Sequence, residues 1–196
     1  MGFSNVDISK AELDCVVDNS RCLLDESAVQ VMFNQLADDI SEECQHQNPV
    51  ILCVMTGAVV AVGMLLPKLQ FPLEVDYIHA TRYQGNLVGS ELVWKQLPTI
   101  SLKNRTVILV DDVLDEGITM LKLKDYCEEQ GAKRCYTAVL VDKMLNQEKP
   151  VVADFVGFQT GDHYLFGLGM DYKGYLRNMN GIYACPKNLE ELLCQD

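Results

Sequence analysis

Residues 107 to 120, Val-Ile-Leu-Val-Asp-Asp-Val-Leu-Asp-Glu-Gly-Ile-Thr-Met, constrain the fold of this chain more than any other segment. Val107 to Val110 are four aliphatic residues in succession, the pattern of a strand buried on both faces, as in a parallel sheet covered by helices. Asp111 and Asp112 close that strand, a short turn runs through Asp115 and Gly117, and a helical stretch begins near Thr119. Carboxylates at the end of a parallel strand then stand beside the N–H groups of a helix N-terminus. Ligands of open α/β sheets bind in that crevice, and the helix end favours phosphate. Amides for a phosphate, with acids for hydroxyl groups or a magnesium ion, suit a sugar phosphate. An Asp-Asp pair alone is more often a solvated strand end. A third acid, a glycine and a threonine in strand-turn-helix order make this run far more specific.

The rest of the chain narrows the field. With 196 residues one domain is the default, and a full core can be buried. Hydrophobic residues make up 48% and charged residues 22%, the balance of a folded globular protein. Sixteen basic against 28 acidic residues give a formal charge of −12, which argues against sequence-independent binding to nucleic acid or to an anionic membrane. An anionic substrate therefore needs local help from amides, magnesium and a few placed cations. The eight cysteines are scattered and form no C-x-x-C, and His46, His79 and His163 stand apart, so no zinc spacing exists. Several cysteines lie inside apolar runs, which points to a reducing cytoplasm. The opening Met-Gly-Phe-Ser-Asn-Val-Asp lacks the basic and apolar regions of a signal peptide. Val50 to Leu66 is uncharged, but it falls short of the roughly 20 apolar residues a membrane span requires, and Thr56-Gly57 interrupts it.

Residues 1 to 26 carry no readable pattern. Ser27 and Gln30 form a capping box ahead of a helix whose stripe is Val29, Met32, Phe33, Leu36, Ala37 and Ile40. A strand over Val50–Met55, a turn at Thr56-Gly57-Ala58 and a helix to about Leu66 follow. Leu73 to Ala80 alternates as a strand does. From Thr81 to about Leu92 a glycine-bearing stretch without periodicity is an ordinary surface loop or an active-site lid. Val93 to Leu97 reads as a returning strand, residues 117 to 130 as a helix stopped by Gly131, Cys135 to Val141 as a buried strand ending in Asp142-Lys143, and Asp154 to Phe158 as a short one. Asn188 to Cys194 suggests a terminal helix. Strands alternating with helices make an α/β fold with a mostly parallel central sheet flanked by helices.

The 107–120 run resembles the phosphoribosyl-pyrophosphate signature of the type I phosphoribosyltransferases, and its details are most similar to the bacterial-type hypoxanthine-guanine branch. The likeness extends from about Val50 to Arg177, with its parts in the family's order. It implies a core at about 48–158 within one 1–196 domain, a small hood from about 1–26 and 159–196, and a homodimer or homotetramer. It implies transfer of phosphoribose to hypoxanthine and guanine, giving IMP and GMP, with Mg2+. Asp111 and Asp112 would engage the ribose hydroxyls and, with Asp171, the metal. Asp115 would exchange the purine's imidazole proton, a role worth roughly 10²–10⁴-fold. Asp115, Glu116, Gly117, Ile118 and Thr119 would wrap the 5′-phosphate, although many relatives carry a small hydroxyl residue where Glu116 stands, so only its amide is expected to serve. Thr56 and Gly57 match the pyrophosphate loop, where relatives have a non-proline cis peptide and often a lysine in place of Thr56. Arg177 would reach the pyrophosphate.

A lysine after a strand is usually a solvated charge, but the position of Lys143 matches the donor to the 6-oxo group. An ammonium is donor-only, so it favours a carbonyl at C6 over the amino group of adenine and leaves xanthine open. Tyr164 would stack on the purine, Leu165 would offer backbone groups to its edge, and Arg82-Tyr83 would begin the lid. A phosphoribosyltransferase preferring xanthine or another base and a non-catalytic, nucleotide-sensing regulatory relative are the alternatives. The charge of −12 disfavours a sensor that binds nucleic acid.

Overall fold

Aliphatic runs set the centre of the molecule. The computed structural model describes residues 8–82 and 92–189. Strands β2 (Val50–Met55), β3 (Glu74–Arg82), β4 (Leu92–Gln96), β5 (Thr106–Leu114), β6 (Arg134–Lys143) and β7 (Phe155–Thr160) form one sheet in the order β4-β3-β2-β5-β6-β7. Every neighbouring pair is parallel except the β3–β4 hairpin. The mostly parallel α/β sheet is therefore as the alternation of elements indicated. The central strands are buried on both faces: Ile51, Leu52, Ile108, Leu109 and Leu140 have at most 1% exposure. Helices α2 (Glu26–Cys44), α3 (Val59–Leu65) and α4 (Ile118–Glu129) pack against this sheet.

The α2 stripe is buried as its periodicity requires, from Val29 to Ile40 and on to Cys44. Its start differs from the expected capping box. Asp25 is the N-cap, accepting the Ala28 N–H at 2.9 Å, while the Ser27 hydroxyl donates to the same carboxylate at 2.7 Å. An ionised acceptor at the positive end of the helix outcompetes a hydroxyl two residues later. Strand β5 also departs from expectation. It does not stop at Val110 but continues through both acids to Leu114, because its ladder with β6 runs on to the Leu114–Asp142 pair. Gly117, at φ +80°, supplies the left-handed residue that turns β5 into α4; a Cβ there would also lie 3.1 Å from Val151 Cγ1.

The two ends of the chain meet in a second, antiparallel sheet. Strand β1 (Arg21–Leu24) pairs with β9 (Ile182–Ala184), which pairs with β8 (Leu165–Phe166). Helix α1 (Lys10–Asn19), for which residues 1–26 gave no pattern, seals this sheet by burying Val16 against Phe166 and Tyr172. The expected terminal helix at 188–194 lies mostly outside the described residues. Among those described, no helix is long and apolar enough to cross a membrane.

Leu123 is the fully buried anchor of α4 against the sheet. Leu123→Ala is expected to cost about 2–5 kcal/mol, read as a lower urea midpoint at unchanged slope. A loss below about 1 kcal/mol would mean that α4 is not packed as described.

Candidate active site

The ends of β2, β5 and β6 open on one crevice, with the second sheet beside it. At the end of β2 the Met55–Thr56 peptide is cis, as the resemblance implies. Gly57 follows with no room for a side chain: a Cβ there would lie 2.0 Å from Asp112 Oδ2. Gly169, at φ +102°, closes on the same turn from the other side, where a Cβ would lie 1.9 Å from the Gly57 carbonyl oxygen. Two glycines thus let the β2 turn, the β5 acids and the 167–177 segment come together.

Asp111 accepts the Asp112 N–H and Asp112 accepts the Val113 N–H, each at 2.9 Å. Burial, reinforced by the charge of Asp112, holds the Asp111 carboxyl well above the usual carboxylate range. Asp112 is also raised by burial, against the opposing pull of its hydrogen bonds and the Arg177 charge. Behind them burial and the same two acids push the Cys53 thiol up to about 11, so it remains a protonated apolar filler. Arg177 is committed within the site. Its guanidinium pairs with Asp171 at 2.7 Å and donates to the Gly169 carbonyl at 2.5 Å, while the other Asp171 oxygen accepts the Gly174 N–H at 2.6 Å.

A cavity of about 190 Å³ brings together Asp112, Val113, Asp115, Lys143, Tyr164, Leu165, Met170 and Asp171. Lys143 is no solvated charge: its side chain is 12% exposed and its ammonium lies 3.3 Å from Asp115 and 3.7 Å from Asp162. Tyr164 is 54% exposed, a ring available for stacking, and it packs edge-on to Tyr172 at 5.7 Å between centroids. Burial raises the Tyr164 hydroxyl pKa. Glu116 does not line this cavity. It borders a larger polar one of about 810 Å³ with Asp115, Asp162, His163 and Lys187.

Gly117, Ile118 and Thr119 form the start of α4, whose first amides have no acceptor within a helix. Gly57, next to Thr56 in the β2 turn, stands against Asp112, and Asp112 lies within reach of the Arg177 charge. Of the lid pair, Arg82 ends β3, and Tyr83 falls outside the described residues. Among the described residues no three His, Cys, Asp or Glu side chains converge on a metal position.

Two residues escaped the sequence reading. Asp162 becomes visible only through its distance to Lys143. Lys149 donates to the Leu114 carbonyl at 2.7 Å and pairs with Asp142 at 2.6 Å, just behind the cavity. Neither carries a periodicity or spacing signal; the only local mark is Pro150, which disfavours helix at Lys149.

The comparisons agree with this geometry. The family model described as phosphoribosyl transferase domain matches residues 22–173. A hypoxanthine-guanine-xanthine phosphoribosyltransferase of Tritrichomonas foetus is 32% identical over 164 residues, covering 83% of this chain and 89% of the relative. The hypoxanthine-guanine phosphoribosyltransferase of Bacillus subtilis is 28% identical, covering 83% and 91%. Among solved structures, a hypoxanthine-guanine-xanthine phosphoribosyltransferase superposes with a TM-score of 0.76 at 28% identity, covering 86% of this chain and 96% of that one. A hypoxanthine phosphoribosyltransferase from Staphylococcus aureus gives 0.82 at 19% identity, covering 93% and 98%, a likeness of fold. The chain belongs to the phosphoribosyltransferase family, in its hypoxanthine-guanine branch.

Proposed function

We propose that this chain transfers the phosphoribosyl group of phosphoribosyl pyrophosphate to N9 of hypoxanthine and guanine, forming IMP and GMP and releasing pyrophosphate. The observation that carries this is the Lys143–Asp115 pair, an enclosed ammonium against a half-exposed carboxylate, beside the exposed Tyr164 ring. O6 and N7 lie side by side on one edge of a 6-oxopurine, so a paired ammonium and carboxylate match that edge. Lys143 donates to O6, Tyr164 stacks on the ring and Leu165 meets its far edge through the backbone. As the N9–C1′ bond forms and the C1′–pyrophosphate oxygen bond breaks, Asp115 takes the proton from N7. The 115–119 turn holds the 5′-phosphate, and the Thr56-Gly57 turn and Arg177 face the pyrophosphate. The second sheet then acts as a hood over the purine; the stretch expected as a lid, 81–92, lies mostly outside the described residues. The assembly is a homodimer or homotetramer, distinguishable by light scattering.

Asp112 and Asp171 line the same cavity and, with Asp111 beside Asp112, would offer one or two carboxylates to a magnesium ion that arrives with pyrophosphate. Mg²⁺ takes one or two carboxylates and completes its shell with substrate phosphates, so a closed protein cage is not required. The half-buried pair Asp111 and Asp112, pushed toward the protonated form, would gain from a dication. When bound, the ion supplies charge neutralisation on the departing pyrophosphate. Xanthine is the second reading, since the Tritrichomonas foetus relative is named for it and Lys143 recognises its 6-oxo group equally.

Purified protein with magnesium and phosphoribosyl pyrophosphate, offered hypoxanthine, guanine, xanthine and adenine in turn, is expected to yield IMP and GMP, with adenine far poorer. Equal turnover of adenine, or no turnover of any 6-oxopurine, sinks the assignment. Asp115→Asn is expected to slow the chemical step roughly 10²-fold or more in single-turnover kinetics, because an amide cannot accept the proton. A step within about threefold of wild type would remove Asp115 from proton transfer.

The raised Asp111 pKa has a stability consequence with a definite sign. The folded chain binds this proton more tightly than the unfolded chain, so the contribution of Asp111 to stability is full below the unfolded value, about 3.9, and falls as pH rises toward the folded value. Asp111→Asn cannot ionise. It is expected to melt above wild type at about pH 7.5 without magnesium, with the difference shrinking toward about pH 4. Magnesium pyrophosphate is expected to raise the wild-type Tm more than that of the variant. A wild type at least as stable as Asp111→Asn at neutral pH, metal-free, would show that the acid pair is not held under repulsion.

A further inference from the structure

Lys149 joins two strand ends that the chemistry needs in register. Leu114 and Asp142 are register partners at the ends of β5 and β6, and the residues after them are Asp115 and Lys143. The Lys149 ammonium, on a side chain 12% exposed, donates to the Leu114 carbonyl at 2.7 Å and pairs with Asp142 Oδ1 at 2.6 Å. Asp142 is itself only 16% exposed, and its other oxygen accepts the Gln159 side chain at 3.2 Å from the register partner on β7. One cation thus ties β5 to β6, and through Asp142 to β7. The same segment supports the phosphate turn: a Cβ at Gly117 would lie 3.1 Å from Val151 Cγ1, 3.4 Å from Pro150 Cδ and 3.5 Å from Lys149 Cβ.

We propose that Lys149 is a positioning residue for phosphoribosyl transfer, fixing the separation of Asp115 and Lys143 by clamping the backbone before one and the side chain before the other. The proposal rests on reading those two residues as the purine-facing pair. Neutralising Asp142 alone would need only the ion pair; the second donor bond, to the β5 carbonyl, is what registers the strand ends. Hydrogen-bonded networks in low-dielectric surroundings are stiff, and misplacing a reacting group by a fraction of its contact distance is costly in rate.

The test uses Lys149→Met and the double variant Lys149→Met/Asp142→Ala, scored by Tm, by kcat/KM with hypoxanthine, and by hydrogen exchange of residues 115–119. Lys149→Met is expected to lose both Tm and about tenfold or more in kcat/KM. The double variant leaves no lone buried charge, so it is expected to regain most of the Tm while keeping the kinetic loss and the faster exchange. Should the single variant fail to fold, the double one decides alone. Recovery of wild-type kcat/KM in the double variant would reduce Lys149 to a counter-ion for Asp142 and overturn the proposal, as would unchanged exchange over 115–119. A wild type that does not use hypoxanthine would count against the purine-pair reading, and exchange over 115–119 would still decide the clamp.

Discussion

A Cβ at Gly57 would fall on the Asp112 carboxylate, and the site is organised around that close approach. On one side is the Asp112 carboxylate, and on the other Gly169 closes on the Gly57 carbonyl. The strand order makes this meeting unavoidable, since β2 and β5 are parallel neighbours and both end in the same crevice. A side chain at 57 would displace the acid; one at 169 would lift the 167–177 segment off the β2 turn. Arg177 belongs to the same unit, because it donates to the Gly169 carbonyl while its charge bears on Asp112. Backbone packing therefore fixes the spacing between turn, acids and guanidinium, leaving little to the rotamers of long side chains.

The purine side is built differently, from charges that hold one another. Lys143 and Asp115 come from strand ends that are already paired, and Lys149 grips both from behind. Along the crevice the anchoring thus passes from close glycine contacts near β2 to an ionic network near β6. Such a network stays rigid only while every member is satisfied.

How much of this the sequence disclosed depended on whether a feature had a period. Val50–Met55 and Val107–Val110 are uninterrupted aliphatic runs, and strands buried on both faces leave that mark. The α2 stripe was equally plain. The two acids were placed after their strand because aspartate is a poor strand former, whereas the β6 ladder carries the chain through them. Helix α1 left no trace because Val16 is its sole fully buried residue, and β1, β8 and β9 are too short to show alternation. Residue roles at the site came from the family likeness. Only the fold could show that Lys143 is enclosed, that Glu116 borders a different cavity, or that Lys149 reaches the Leu114 carbonyl.

The charges of the site set the terms on which a polyanion can enter it. Asp111, Asp112, Asp115 and Asp171 stand against Lys143 and Arg177, and each cation is already paired with one of those acids. A chain of formal charge −12 adds no long-range attraction for phosphate. On the proposed reading, phosphoribosyl pyrophosphate without metal would set its own charge against a half-buried acid pair whose pKa values are already raised. Two remedies exist, protonating the acids or admitting a dication. Protonation would cost the acids their ability to accept two ribose hydroxyls and would tie activity to low pH. A dication leaves the carboxylates ionised and offsets the pyrophosphate charge at once. The metal would then be a condition of substrate binding as well as a contributor to the chemical step, and the acid pair would be tuned to the metal-bound substrate.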